Sequence, residues 1–328
     1  MAPRVLLTAL LAAVAALPTV ASSAPLELKL GHVGEPGSLF ALSATEFARI
    51  ANAKLGGRAT VVVFGSSQLG GDKELLQKMK LGTVDLAIPS TVMSSEVDLF
   101  GLFEMPYLVR DREHMAAIEK AVVWPTLAPA AAKRGYRVLA VWENGFRHIT
   151  NNLHPIRTPA DLKGIKLRVP EGKWRVAMFQ AYGASPSPMK LSEVFVALQT
   201  GVMDGQENPL TQTWSSRFQE VQKFLSLTSH VYTPAYLTVG EKRFASLPKE
   251  VQQALEQAAK ETQAFVYQTA AAQDRELLQK IKQSGLQVND IDRDAFVKAS
   301  QPIYDQFARE VPEGKELVER ARKLASAR

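Results

Sequence analysis

The segment PKEVQQALEQAAKETQAFVYQTAAAQDRELLQKIKQS, from Pro248 to Ser284, decides the fold of this chain. After its first residue it contains no proline or glycine, and Gly285 follows directly, which is typical of a helix end. Apolar residues recur at close to helical spacing at Leu247, Val251, Leu255, Ala258, Phe265, Ala270, Leu277 and Ile281. The spacing predicts one helix of roughly 55 Å, which exceeds the span of a single small domain. We favour a helix that braces two lobes over two helices with a break between them or a dimerising coiled coil.

Strands and helices alternate along the chain before this helix. The first part predicts strands at 26–30, 59–64 and 84–88, with helices at 41–55 and from the glycines at 70 and 71 to about 81. The next part predicts a largely helical stretch at 112–133 broken near Pro125, a strand at 137–142, a short strand within 162–169, and helices at 174–182 and 192–200. This alternation is typical of an α/β fold with a parallel type of sheet.

The composition excludes several classes of protein. The 328 residues are 46% hydrophobic and 22% charged, which is enough apolar material for a large core and fits two domains. The absence of cysteine excludes disulfide scaffolds, cysteine-ligated zinc, iron–sulfur clusters and thiol nucleophiles. The net charge is +6, but no basic run or face stands out, so we predict no nucleic-acid partner.

The first 24 residues follow the order of a secretory signal peptide. Arg4 precedes an apolar run from Val5 to Leu17, and mostly small residues fill positions 19–24. The apolar run is too short to span a bilayer comfortably. We expect cleavage between Ala21 and Pro25 and export of a soluble protein.

The sequence lacks the common catalytic and metal-binding motifs. Its five histidines include no pair at metal-ligand spacing, and there is no nucleophile elbow or phosphate loop. The loop GHVGEPG at 31–37 follows a strand as a dinucleotide loop would, but its glycine spacing is wrong and Pro36 removes an amide donor. We therefore predict no metal and no cofactor, and we interpret this loop as a turn that reaches toward a ligand cleft.

Three polar segments stand out in the middle of the chain. Arg147 lies in GFRHITN at 145–151, Arg168 ends the strand in LKGIKLRVP at 162–170, and Asn208 lies in MDGQENP at 203–209. Ligands of open α/β sheets bind at strand ends, and a guanidinium presents two parallel N–H donors to a carboxylate. The residues alone also allow each arginine to be a surface ion-pair residue, and nothing in the spacing forces the three segments together.

At these segments the sequence resembles the solute-binding subunits of tripartite ATP-independent periplasmic (TRAP) transporters, the dicarboxylate-binding DctP family. The resemblance runs from about Leu28 to near the C-terminus. It rests on SSQLGGDKELLQKMKLGTVDLAI at 66–88, GFRHITN, PADLKGIKLRVP at 159–170, GASPSPMKLSEVFVALQTGVMDGQENP at 183–209 and EVQKFLSLTSH at 220–230. The fixed distance from LRVP to GQENP makes the combined pattern specific.

The resemblance implies a fold and a role. Members have two α/β lobes of the periplasmic binding protein type (type II-like, Venus-flytrap), with a long helix that contacts both. They trap a carboxylate between the lobes and deliver it to an ion-driven membrane permease. For this chain we expect a monomer in the periplasm, with one lobe from 25–145 plus about 233–265 and the other from 146–232 plus about 266–328.

The resemblance also implies site residues. The main carboxylate-binding arginine falls on Arg168, a second arginine on Arg147 and a pocket asparagine on Asn208. Further candidates, each equally compatible with a structural role, are Glu35, Gln68, Asp72, Ser90, Leu191, Gln212 and Trp214. Sialic-acid-binding members carry Glu at the position of Pro89 and Phe at that of Leu191, so these departures disfavour sialic acid.

We therefore interpret the chain as a receptor for a small organic acid and not as an enzyme. One alternative is a secreted α/β enzyme that acts on organic acids, which would need a general base near Arg168. The motif around Arg147 offers only His148 for that purpose. A second alternative is a ligand-sensing partner of a membrane receptor. The sequence leaves open whether the ligand is a dicarboxylate, a sugar acid, an aromatic acid or a keto acid.

The predicted signal peptide can be tested directly. N-terminal sequencing of the exported protein should find a chain that begins between Ser22 and Pro25, because the signal peptide is removed on export. An exported chain that still begins at Met1 or Ala2 would contradict it.

Overall fold

A computed structural model describes residues 26–325 of the chain. The predicted signal peptide and its cleavage site lie outside these residues. The strands are β1 (Leu26–Gly31), β2 (Ala59–Phe64), β3 (Leu86–Ala87), β4 (Tyr136–Asn151), β5 (Lys166–Val169), β6 (Ser185–Pro188), β7 (Gly205–Pro209), β8 (Phe224–Ser226), β9 (Tyr232–Gly240) and β10 (Gln287–Asn289).

The helices are α1 (Leu39–Leu55), α2 (Asp72–Leu81), α3 (Met93–Glu96), α4 (Arg112–Ile118), α5 (Ala128–Lys133), α6 (Lys173–Ala181), α7 (Leu191–Gln199), α8 (Leu210–Ser215), α9 (Glu241–Ser246), α10 (Lys249–Gln283), α11 (Arg293–Ala299), α12 (Gln301–Glu310) and α13 (Gly314–Ala325). Short 3₁₀ segments lie at Asp98–Glu104, Pro159–Leu162 and Phe218–Glu220.

One long strand, β4, joins two groups of strands that we call the first and second lobes. Up to Phe146 it pairs with β9, which continues through β3 and β1 to β2 in the first lobe. From Arg147 onward it pairs with β7 and β8, and β7 leads to β5 and β6 in the second lobe. The strand therefore changes partners between Phe146 and Arg147, at the boundary of the two lobes.

Gly145 makes this change of partner possible. It has a φ of +123°, and the pairing of β4 with β9 shifts register between Glu143 and Gly145. Residues with a Cβ avoid this backbone conformation, so glycine relieves the strain of the bulge. The bulge turns Arg147 out of the first lobe and into the pairing with Pro209 of β7.

The sheet is mixed, so the prediction of a parallel type of sheet was wrong in part. β1 runs parallel to β2 and β3, but β9 is antiparallel to both β3 and β4. The apolar run at 59–64 forms β2, which lies at the edge of the sheet and is only partly buried. After the second lobe, the chain comes back to the first lobe as β9, which lies between β3 and β4 and runs antiparallel to both. The alternation of strands and helices along the sequence does not predict the direction of this strand.

The predicted break near Pro125 is instead a widened helical segment. Helix α4 continues through a π-helical stretch at Glu119–Leu127 into α5. Proline cannot donate a backbone hydrogen bond, and its ring clashes with the preceding turn of an α-helix. A π turn relieves this clash without ending the helix.

Helix α10 confirms the prediction of one long helix across both lobes. It runs unbroken for 35 residues, or about 52 Å at 1.5 Å per residue. It packs against α1 in the first lobe, β4 at the boundary and α8 in the second lobe. In the N-terminal part of the helix, Leu255 and Val266 pack in the main hydrophobic core. Near its C-terminal end, Leu277 and Ile281 pack with Leu210 in a separate hydrophobic cluster. No helix within residues 26–325 is long and apolar enough to cross a membrane.

A proline in the middle of α10 should destabilise the whole molecule, because the helix links both lobes. We expect Phe265→Pro to lower the free energy of unfolding by about 3 kcal/mol or more relative to Phe265→Ala, which removes the same ring but keeps the helix. Urea unfolding measures both variants. Equal midpoints for the two would mean that α10 does not act as one unit.

Candidate functional site

A small cavity lies where the two lobes meet. It encloses about 30 Å³, enough for about two water molecules. It is lined by Val33, Phe40, Asp72, Ser90, Thr91, Val92, Asn144, Arg147, Arg168, Pro170, Leu191, Asn208 and Gln212. The lining residues come from both lobes. The turn at 31–37 reaches this cavity through Val33, as the sequence predicts.

Arg168 lies at the end of β5 and is almost completely buried, with 3% of its surface exposed. Its Nε and one Nη both donate to the carbonyl oxygen of Met189, at 2.9 and 2.6 Å. No carboxylate of residues 26–325 lies within 4 Å of its guanidinium. Burial, and then the charge of Arg147, lower the pKa of Arg168 to about 10. The charges of Glu207 and Asp72 act in the opposite direction and favour the ionised form, but neither carboxylate pairs directly with the guanidinium. The side chain is therefore a buried cation without a direct ion pair, which a ligand carboxylate would supply.

Arg147 is buried but already paired. Its Nε donates to Glu207 Oε2 at 2.6 Å, and one Nη donates to Glu207 Oε1 at 3.0 Å and to Asn208 Oδ1 at 3.0 Å. Most of its charge is therefore compensated inside the protein. Its role as a second cationic contact is weaker than that of Arg168, because a ligand would share it with Glu207.

A buried ionic network extends behind the cavity. Arg175 of α6 donates to Glu207 at 2.6 Å and to Glu104 at 2.8 Å. His230 Nε2 lies 2.9 Å from Glu207. Burial opposes ionisation of Glu207, but the charges of Arg147 and Arg175 and the hydrogen bond from His230 hold its pKa well below the ordinary value. Glu104 precedes β4 in the chain and Arg175 follows it, so the network joins segments on either side of the strand that links the lobes.

The charges of this network do not balance. Three arginines (Arg147, Arg168 and Arg175) face two glutamates (Glu104 and Glu207), and burial lowers the pKa of His230 to about 4, which keeps it neutral. Within this network one positive charge remains, on Arg168. Asp72 lines the same cavity but lies more than 4 Å from the guanidinium, and burial raises its pKa to about 7. Two parallel N–H donors of a guanidinium match the geometry of a carboxylate.

The uncharged candidate residues line the same cavity as the Arg168 guanidinium. Asn208 accepts from Arg147 and donates to Gln206 at 2.6 Å. Ser90 donates to the carbonyl of Pro234 at 2.7 Å and accepts from Asn144. Gln212 is buried and accepts from Ser215 at 3.3 Å. Each keeps polar capacity toward the cavity, while Leu191 closes it from the second lobe.

Asp72, the first residue of α2, lines the cavity from the first lobe. Its Oδ1 is buried and has no hydrogen-bond partner among residues 26–325. Burial raises its pKa to about 7, against the positive charge of Arg168. Two residues on, Glu74 forms an ion pair of 2.5 Å with Lys190 of the second lobe, which bridges the rim of the cleft.

Three of the candidate residues lie elsewhere. Glu35 accepts from Ser66 at 2.8 Å and borders a separate pocket of about 200 Å³ near Leu191 and Phe195, outside the cavity. Gln68 is exposed. Trp214 packs on the cluster around Leu210 at the end of α10, because the short helix α8 turns its ring away from the cleft.

Sequence reasoning missed the residues that support the site from behind. Glu207 stands next to Asn208 in the GQENP segment, and Arg175 lies in α6 among the buried residues Trp174, Met178 and Phe179. A charged residue inside an apolar pattern is a signal of a buried partner. Glu104 and His230 gave no such local signal, since their partners are distant in sequence.

His148 does not supply a catalytic base. It lies outside the cavity lining, its Nδ1 accepts from the backbone of Ser229 at 3.2 Å, and burial lowers its pKa to about 3. Within residues 26–325 there is also no cluster of three or more acidic or histidine side chains placed to hold a metal ion.

Acidification should destabilise the protein through its buried histidines. Burial lowers the pKa of His32 and His230 to about 4 and that of His148 to about 3, whereas the unfolded chain binds protons near pH 6.5. The stability is fully present above that pH and is lost as the pH falls, by on the order of 2 kcal/mol per histidine at pH 5. Urea unfolding at pH 7.5 and pH 5 should show this fall, and it should be smaller in His148→Gln. The exposed His154→Gln variant serves as the control, and an identical fall in all three proteins would contradict the assignment.

Comparison with known proteins agrees with this geometry. A family model described as bacterial extracellular solute-binding protein, family 7 (DctP), matches residues 30–310. The 2,3-diketo-L-gulonate-binding periplasmic protein YiaO of Escherichia coli (strain K12) is 33% identical over 303 residues, which cover 92% of each chain.

Solved structures resemble the chain over most of its length. A TRAP periplasmic solute-binding protein from Polaromonas sp. JS666 bound to D-erythronate has a TM-score of 0.87 at 33% identity and covers 90% of this chain and 98% of its own. One from Sulfurospirillum deleyianum DSM 6946 with bound succinate has a TM-score of 0.87 at 32% identity, covering 92% and 100%. The chain therefore belongs to family 7 of the bacterial extracellular solute-binding proteins, the DctP family of TRAP solute-binding proteins.

Proposed function

We propose that this protein is the periplasmic receptor of a TRAP transporter, which captures a small carboxylate between its lobes and delivers it to the membrane subunits. The observation that carries the proposal is Arg168, a buried guanidinium in the inter-lobe cavity with no carboxylate of the described protein within 4 Å. A ligand carboxylate completes its charge and its hydrogen bonds. Relatives that bind erythronate and succinate agree with an acid of this size.

Closure of the lobes strengthens this contact. Exclusion of water lowers the local dielectric, so the attraction between Arg168 and the carboxylate grows. The ligand stabilises the closed arrangement only by its higher affinity for it. The ion pair between Glu74 and Lys190 bridges the lobes at the rim of the cleft and favours the same arrangement. The membrane subunits then distinguish loaded from empty receptor by the geometry of the lobes.

We propose a division into two lobes, with the first from 25–145 and about 233–265 and the second from 146–232 and the residues after about 266. One refinement concerns α13. His114 of the first lobe lies 2.7 Å from the carbonyl of Ala321, and Arg320 donates to the carbonyl of Ala121. These contacts favour assigning α13 to the first lobe rather than to the second.

The proposal includes a cleaved leader, a monomer in the periplasm and no catalytic activity. The enzyme alternative requires a base or nucleophile beside the bound acid. The cavity offers Asp72, but no histidine or lysine lines it. A sensing role would use the same pocket, and genes for TRAP membrane subunits beside this one would favour transport over sensing.

Removing the guanidinium of Arg168 tests the proposal. Each charge-assisted hydrogen bond contributes roughly 1.5–3 kcal/mol, so Arg168→Ala should weaken binding by about 100-fold or more. Arg168→Lys keeps the charge but loses the planar pair of donors, so it should weaken binding by less. Isothermal titration calorimetry with an acid found by screening measures both.

Arg157→Ala is the matched control, since this arginine is exposed and lies outside the cavity. It should bind like the parent. Arg147 is not suitable for this comparison, because its removal would also leave Glu207 with one partner fewer in the core. Parental affinity in Arg168→Ala would refute the proposed carboxylate contact.

A further inference from the structure

The cavity contains an acidic group whose purpose the carboxylate contact does not explain. Asp72 Oδ1 is buried, lines the space next to Arg168 and has no hydrogen-bond partner among residues 26–325. A buried oxygen left unsatisfied is unfavourable, and buried polar groups usually have a partner. The missing partner of a carboxylate oxygen is a donor, such as a hydroxyl group of the ligand.

The charges that line the cavity limit the ligand to one carboxylate. The cations of the lining are Arg147 and Arg168, and Glu207 already occupies Arg147. One carboxylate therefore satisfies Arg168, and no uncompensated cation remains for a second. A second carboxylate would instead lie beside Asp72 in a partly buried space, where like charges repel more strongly than in bulk water.

Asp72 is held in place from two sides. It begins α2, and the backbone N–H of the preceding Gly71 donates to Glu74 Oε2 at 2.9 Å. Glu74 in turn pairs with Lys190, just before α7 in the second lobe. Arg168 also belongs to the second lobe, so a ligand that reaches from Arg168 to Asp72 contacts both lobes at once. A ligand group that hydrogen-bonds to Asp72 would therefore also stabilise the closed arrangement of the two lobes.

We propose that Asp72 is a specificity-determining residue that makes this site select a hydroxylated monocarboxylate over a dicarboxylate of equal length. The inference rests on the proposed carboxylate contact at Arg168. The hydroxyl donates to Asp72 while the single carboxylate binds Arg168, and the apolar side chains of Val33, Phe40 and Leu191 enclose the carbon chain.

The test is best made where Asp72 is ionised. Burial raises its pKa to about 7, with Arg168 and Arg147 lowering it and Glu171 raising it, so measurements at pH 8 keep most of the empty protein in the charged form. Asp72→Asn keeps the shape of the side chain and removes the charge. It replaces repulsion of a second carboxylate by an amide that can donate to it.

The experiment measures affinities by calorimetry at pH 8 for two matched pairs of acids, erythronate with succinate and gluconate with adipate. We expect the parent protein to bind the hydroxylated member of at least one pair tenfold or more tightly than its dicarboxylate. In Asp72→Asn this ratio should fall at least tenfold. Asp290→Asn changes an exposed carboxylate outside the cavity and should leave the ratio unchanged. Thermal melting confirms that each variant is folded.

The outcomes separate the two proposals. An unchanged ratio in Asp72→Asn, or a parent that prefers the dicarboxylates, would overturn the role of Asp72 while loss of binding in Arg168→Ala still supports the receptor. Failure of the parent to bind any of the four acids would count against the proposed function, and the selectivity proposal would fall with it.

Discussion

The site depends on a guanidinium that the protein buries with no carboxylate of residues 26–325 within 4 Å. Arg168 is held by one carbonyl oxygen, while the two other buried arginines of the site each pair with a glutamate. Burying an unpaired charge destabilises a folded protein. Behind the cavity, Glu104 and Glu207 compensate the charges of Arg147 and Arg175, and Asp72 is a further carboxylate that lines the cavity itself. We propose that the charge of Arg168 is what makes the cavity bind an anion.

The fold brings this charge to the boundary of two lobes. Strand β4 pairs with β9 up to Phe146 and with β7 and β8 from Arg147 onward. The residues at this change of partner therefore lie at the boundary between the lobes. Asn208 lies opposite His148 on β7, next to the pairing of Arg147 with Pro209. Helix α10 spans the same boundary and links the main core to the cluster around Leu277. Motion of one lobe against the other therefore acts directly on the cavity.

Local patterns predict much of this arrangement, and long-range contacts explain the rest. The helical spacing after Pro248 predicts α10, and the position of Arg168 at a strand end predicts a ligand contact. Other features depend on residues that are 60 or more positions apart in the sequence. Two of them are the antiparallel pairing of β9 with β4 and the ion pair between Arg147 and Glu207, and no local pattern predicts either. The role of Trp214 stays open in the sequence for a related reason. An aromatic residue beside a pocket segment fits a ligand contact and a hydrophobic cluster equally well until the direction of α8 is known.

The most direct test of the central claim changes the ligand rather than the protein. An acid that binds the receptor can be compared with its primary carboxamide, which has nearly the same shape but no charge. If Arg168 needs a counter-ion, calorimetry should find the amide bound at least about 100-fold more weakly, a loss of about 2.7 kcal/mol. Equal affinity for the acid and its amide would contradict the account, because the buried charge of Arg168 would then play no part in recognition.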